Sequence, residues 1–282
     1  MVQIKAIGRF CMSDEQGYIV NEASLERIHR VYRDVIRNMI HVYKTQLGAN
    51  LHSIYIRGSI PRGVGISGVS DLDTICLTKY KVADLDLTWV EQAENELNQN
   101  FDCVNGVELS FHHIDEICIT KSFTIIPFMI KTHSVCVYGD DVRNHLPSYK
   151  ADHALANDHI FNLQTLLNIA RDELQGNEDI EDILDCCVWI MKIMVRGGLA
   201  LVLEKEKQYT RDLYPAYKAF SKYFADQEQN MRQALDYAIN PITDTEQLTT
   251  FLDEFGGWMI KESEKWLAAH NPSRIKNMLM NL

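Results

Sequence analysis

Residues 54–79 read Ile54-Tyr55-Ile56-Arg57-Gly58-Ser59-Ile60-Pro61-Arg62-Gly63-Val64-Gly65-Ile66-Ser67-Gly68-Val69-Ser70-Asp71-Leu72-Asp73-Thr74-Ile75-Cys76-Leu77-Thr78-Lys79. Two short runs rich in β-branched and apolar residues, 52–57 and 73–78, predict strands, and the stretch between them carries turn residues. The first run ends in Gly58-Ser59, a turn whose backbone N–H groups and hydroxyl suit the phosphates of a nucleotide. The second opens at Asp71 and Asp73. Residues two apart on a strand point to the same side, so the spacing predicts a pair of carboxylates aimed together.

Residues 3–20 predict a β-hairpin around the turn at 13–17. Apolar positions recurring at three and four from Leu25 to Tyr43 predict one helix over 21–47, capped by Asn21 and ended by Gly48. Thr88 and Glu91 have capping-box spacing for a helix reaching Asn100. The alternation from Val107 to His112 predicts a third strand, with Val107, Leu109 and Phe111 on one face and Glu108, Ser110 and His112 on the other. An apolar stretch covers 122–138, and Leu146-Pro147-Ser148-Tyr149 breaks the chain. Beyond it only helical periodicities remain, at 152–175, 181–207, 210–224, 228–239 and 244–269. The span Val188–Val202 is apolar nearly all round, as the central helix of a bundle would be. The expected fold is α+β: a mixed β-sheet with flanking helices over 1–147, then an α-helical bundle over 148–282.

The sequence is 46% hydrophobic and 24% charged, a composition that suits a folded globular protein rather than a disordered one. Without a signal-peptide pattern or an apolar run of bilayer-spanning length, the expected location is cytoplasmic, with no membrane partner. Seven cysteines, none spaced Cys-x-x-Cys, read as buried free thiols. A net charge of −11, concentrated beyond Lys150, disfavours nucleic acid and suits a neutral or cationic small partner.

Glu108 sits inside a predicted strand with no Lys or Arg within ten residues. An ionised carboxylate there is costly unless a positive charge neutralises it. If Asp71, Asp73 and Glu108 face one another across neighbouring strands, divalent cations are the natural remedy, and an all-oxygen donor set favours Mg²⁺.

Gly58-Ser59, eleven residues, Asp71-x-Asp73 and a later Glu108 together resemble the DNA polymerase β-like nucleotidyltransferase superfamily. Within it the chain is most similar to minimal antibiotic adenylyltransferases of the aminoglycoside (streptomycin/spectinomycin) type. The segment 135–147 adds to the likeness. Over the helical half the likeness is architectural, apart from a faint match at Tyr209-Thr210-Arg211-Asp212. The resemblance implies that Gly58 and Ser59 hold the β- and γ-phosphates and that Ser70 contacts the triphosphate. It implies further that Asp71 and Asp73 bind catalytic Mg²⁺, two ions in all, and that Glu108 is the third carboxylate, as a metal ligand or as general base on the acceptor. The implied reaction moves a nucleoside monophosphate, AMP from ATP, onto a hydroxyl of a small molecule such as an aminoglycoside, releasing pyrophosphate. The second domain would then bind substrate or nucleotide.

Other readings stand beside this one. The fold would also serve protein adenylylation, as in antitoxin-like enzymes, or nucleotide binding without turnover. Arg62 and Arg57 flank the turn as candidate phosphate ligands, although Arg57 also reads as a surface charge. Glu178, Glu181, Asp182, Asp185 and Trp189 fall near one helical face, which fits a cation-binding acceptor wall or a solvated helix start. Arg196, Arg211 and Lys218 are further candidates for the triphosphate. His112 and His113 read as ordinary sheet histidines. The acceptor, the preferred nucleotide and the oligomeric state are not written in any motif.

Overall fold

The runs at 52–57 and 73–78 form strands β1 (Leu51–Arg57) and β2 (Leu72–Thr78) of a computed structural model that describes residues 4–118 and 121–280. They pair antiparallel with Arg57 opposite Asp73. Two short strands, β3 (Val107–Glu108) and β4 (Phe111–His113), run parallel to β2, and β5 (Ser134–Gly139) lies antiparallel along β1. The sheet is therefore mixed, in the order β3-β2-β1-β5 with β4 also on β2. Helices α1 (Arg33–Leu47), α2 (Val90–Asn100), α3 (Ile114–Cys118) and α4 (Ile125–His133) accompany it. The fold is α+β, as expected.

Strand alternation sorts the sheet's two faces. Val35, Met39 and Tyr43 of α1 share one core with Ile54, Ile56, Leu72 and Cys76, and each such side chain contributes about 2 kcal/mol on burial. Arg57, Asp73 and Glu108 have the opposite parity, so the sheet turns them away from that core.

One predicted strand is two. Between β3 and β4 the buried Thr74 hydroxyl donates to Glu108 O (2.7 Å), and Ser110 Oγ donates to Thr74 O (2.5 Å). Leu109 N–H is taken by Glu94 Oε1 (2.7 Å) from α2. These side-chain partners interrupt the ladder, although Cys76 N–H still donates to Ser110 O (2.9 Å), and alternation alone does not reveal them.

The long helix predicted over 21–47 is likewise divided. Short 3₁₀ turns at Leu25–Arg27 and Arg30–Tyr32 precede α1. Asn21 caps no helix: its Oδ1 accepts from Ala23 N–H (2.8 Å) in a local turn, and its amide donates to Lys131 O and Ser134 O (3.0 and 2.8 Å), tying this segment to α4 and β5. The capping box is also absent. Thr88 bonds Asp86 instead, and α2 starts after Trp89. The apolar stretch 122–138 divides into α4 and β5.

Contacts group Val20–Tyr149 as one unit, and the residues up to Ile19 with the chain from Lys150 onward as the other. The predicted hairpin is reduced to one isolated bridge, Ser13 to Ile19. Its first arm pairs with the segment 209–212 instead: Cys11 N–H donates to Tyr209 O (2.8 Å), Thr210 Oγ1 to Arg9 O (2.7 Å), and Arg9 N–H to Asp212 Oδ2 (3.0 Å). Residue 3 of that hairpin lies outside the described residues.

The second unit is helical: α5 (His153–Phe161), α6 (Leu163–Leu174), α7 (Ile180–Glu206), α8 (Leu213–Tyr223), α9 (Glu228–Ile239), α10 (Thr245–Phe251) and α11 (Gly257–His270). A π-helical turn, Leu252–Gly256, joins the last two. By length and apolar content α7 is sufficient to cross a bilayer, contrary to the sequence expectation. Here it is mostly buried, packed on α5, α6, α8 and α9, which is the central position its all-round apolarity predicts.

Candidate functional site

At the end of β1 the chain turns at Gly58 with φ +89°, a conformation that favours glycine. A Cβ on Gly58 would stand 2.8 Å from Asp73 Oδ2, so the missing side chain leaves the space beside that carboxylate open. The turn continues with Val64 N–H donating to Ser59 O (3.1 Å) and Gly63 N–H to Ile60 O (3.1 Å). Arg62 is half-buried in it. At the far end Ser70 Oγ accepts from Ile66 N–H (2.9 Å) and Ser70 O accepts from Asn105 N–H (3.1 Å). The Ser70 hydroxyl thus closes its own loop.

Register brings two of the three predicted carboxylates side by side, Asp73 on β2 next to Glu108 on β3. Arg57 spans them, with Nη1 3.3 Å from Asp73 Oδ2 and Nη2 3.2 Å from Glu108 Oε2. Asp71 precedes β2, and Asn105 Nδ2 donates to its Oδ1 (3.4 Å). Among the described residues no three His, Cys, Asp or Glu side chains close into a group that would hold a metal ion. The positive charge that Glu108 requires comes from Arg57, remote in sequence but adjacent across strands. Antiparallel pairing of 52–57 with 73–78 was the signal that would have found it, since it sets residue 57 against residue 73. Partial desolvation raises the Glu108 carboxyl above the ordinary range although more than half of its side chain is exposed; Arg57 pulls it down, and the neighbouring Asp73 pushes it up again.

The chemistry of the two carboxylates is that of donors to a hard divalent cation. All their ligating atoms are oxygens, Asp73 has open space beside Gly58, and the pair already holds a cation in the form of a guanidinium. Asp73 and Glu108 are the two that would hold such an ion; Asp71 does not join them in a group of three.

In the helical unit Asp182, Asp185 and Trp189 line a cavity of about 530 Å³ with Ile169, Glu173, Asn177 and Cys186. Asp179 caps α7 by accepting from Glu181 N–H (2.9 Å) and Asp182 N–H (3.3 Å). The acidic face therefore divides between a helix start and a cavity wall.

Sequence reasoning missed a cluster of titratable groups in the same unit. His159 Nε2 lies 3.1 Å from Tyr209 OH, and burial, reinforced by Arg211 and Arg196, pushes this imidazole down to about 3. Burial lifts the adjacent Asp158 carboxyl to about 6 against the pull of Arg211 and Lys276. A carboxyl raised on folding is more protonated in the folded than in the unfolded chain, so its contribution to stability falls as pH rises from about 4 to 6. Asp158→Asn is therefore expected to stabilise the protein by on the order of 2–3 kcal/mol above pH 7 and by nothing near pH 4. Thermal melts at the two pH values check this.

Fold and site together describe an α+β protein with a cation-bridged carboxylate pair at the end of a mixed sheet. Neither a family model nor a curated protein sequence matches the chain. Among solved structures it is similar to a spectinomycin adenyltransferase from Enterococcus faecialis with ATP and spectinomycin, at 12% identity and a TM-score of 0.44, covering 82% of this chain and 98% of that one. A likeness this distant assigns no activity.

Proposed function

We propose that the Val20–Tyr149 unit is the catalytic unit of a Mg²⁺-dependent nucleotidyltransferase that moves AMP from ATP to a hydroxyl of a small acceptor. One observation carries the reading: Asp73 and Glu108 stand in register on adjacent strands, directly beside a glycine turn that keeps the space at Asp73 open. Asp71 lies two residues before Asp73, just ahead of β2.

The acceptor oxygen forms a bond to the α-phosphorus while the bond from that phosphorus to the bridging oxygen breaks and pyrophosphate leaves. Bound Mg²⁺ would neutralise the triphosphate and polarise the phosphoryl group. Glu108 takes the acceptor proton, a role that its raised proton affinity favours. The Gly58 turn cradles the leaving phosphates with backbone N–H groups.

Pyrophosphate release from Mg²⁺-ATP across a panel of hydroxylated acceptors, aminoglycosides included, tests the reading; hydrolysis or transfer with no acceptor dependence refutes it. Glu108→Gln is expected to lower turnover about 10²-fold. It should not lower the melting temperature of the metal-free protein at neutral pH. A carboxyl raised on folding weakens the fold as pH rises through its folded value, so removing the charge removes that cost.

A second reading, nucleotide binding without turnover, is favoured by the ion pairs of Arg57, which already satisfy both carboxylates. Calorimetric binding of Mg²⁺-ATP with no product from any acceptor would select it.

A further inference from the structure

Arg57, Asp73 and Glu108 come from three adjacent strands and are aligned by register, so the guanidinium lies across the sheet end between the two carboxylates. Its side chain is only 21% exposed, and Asp73 is 24% exposed, whereas Glu108 is 58% exposed. An ion pair to so exposed a partner is weak, so exchanging that partner costs little. A divalent cation placed on the same oxygens would meet the guanidinium a few ångströms away, and the two like charges oppose each other unless an anion joins them. A polyphosphate is such an anion, and a planar guanidinium pairs with phosphate oxygens two at a time.

We propose that Arg57 is a displaceable internal cation: in the nucleotide-free protein it occupies Asp73 and Glu108, and it yields them to a divalent cation when a nucleoside triphosphate arrives to take its guanidinium. This rests on the nucleotidyltransferase reading of the site and adds an order to it. Metal and nucleotide then bind together, each raising the affinity of the other by the same factor. Arg57 thereby becomes a ligand of the nucleotide's phosphates. It keeps the carboxylates apart from stray cations and set in register until the substrate is present.

Mn²⁺ serves as the probe, its binding to the full chain read by electron paramagnetic resonance with and without a non-hydrolysable ATP analogue. The wild-type protein is expected to bind Mn²⁺ weakly alone and about tenfold more tightly with the analogue. Arg57→Gln, which keeps the stem and removes the charge, should bind Mn²⁺ alone about tenfold more tightly than wild type and lose most of the coupling. Arg57→Lys, which keeps the charge but not the fork, should retain part of the coupling, and melting curves report whether each variant is folded. Tighter metal binding is an outcome that mere structural damage at Arg57 would not produce. If Arg57→Gln and wild type bind free Mn²⁺ alike while Asp73→Asn abolishes Mn²⁺ binding with the analogue, the switch is overturned and the enzyme reading stands. If Asp73→Asn changes nothing, or wild type binds no Mn²⁺ even with the analogue, the enzyme reading fails and the switch fails with it.

Discussion

Asp73→Ala is expected to reduce pyrophosphate release about a thousandfold or more. Asp73 is the carboxylate on which the site's geometry converges: Arg57 lies opposite it, Glu108 lies beside it in register, and Gly58 leaves room at its Oδ2. The alanine variant loses that donor and leaves the guanidinium its contact with Glu108. The Asp73 side chain stands at the sheet end, and in the variant Glu108 still pairs with the guanidinium, which limits the cost to the fold. Far-ultraviolet circular dichroism and melting behaviour should therefore stay close to wild type while turnover collapses. Initial rates of pyrophosphate release with Mg²⁺-ATP and a working acceptor decide the matter; activity retained within a few-fold would remove Asp73 from the site.

The second large effect concerns stability. Gly139 ends β5 with φ +80° and pairs with Ser53 of β1. A Cβ there would overlap the His52 carbonyl oxygen and stand 2.8 Å from Ser53 Cα. Both obstacles are backbone in the central strand, which cannot swing aside as a flexible side chain would. The positive φ adds its own penalty for any residue with a Cβ. Gly139→Ala is expected to cost about 3–5 kcal/mol. That should lower the melting temperature by about 10–20 °C, or abolish soluble expression. A shift under about 2 °C would show that β1 and β5 do not approach as closely as the register requires.

Much of this architecture was legible in residue patterns. The two strands around the glycine turn, the helical periodicities beyond Lys150 and the central place of α7 follow from apolar spacing, because the spacing is itself the burial pattern. What stayed hidden depends on partners distant in sequence. Residues before Ile19 have the composition of a hairpin, yet their backbone groups bond to Tyr209 and Thr210, a choice no local window contains. The interruption at Leu109 arises from Glu94 and Thr74, polar side chains that outcompete the ladder. In the site the Asp71-x-Asp73 spacing and the parity of Glu108 were readable. The charge on Glu108 was the visible half of an ion pair whose other half, Arg57, becomes its neighbour only once β1, β2 and β3 assemble. Asp158 and His159 were missed for the same reason: on the page they are two polar residues in a helix, and burial among arginines makes them unusual.

The division of the chain has a consequence for how it is made. The helical unit begins before Val20 and resumes at Lys150, so the sheet unit interrupts it. Tyr18 and Lys150, on either side of the interruption, are joined by a backbone bridge, with Lys150 Nζ 4.4 Å from the centre of the Tyr18 ring. During synthesis the sheet unit has all its strands once Gly139 has emerged. The opening segment must wait, unpaired, until Tyr209 and Asp212 exist. A truncated gene starting at Lys150 would therefore encode helices without their first strand-like strip. Bridging Ile19 to Lys150 by a short linker would excise the sheet and leave the helical unit whole.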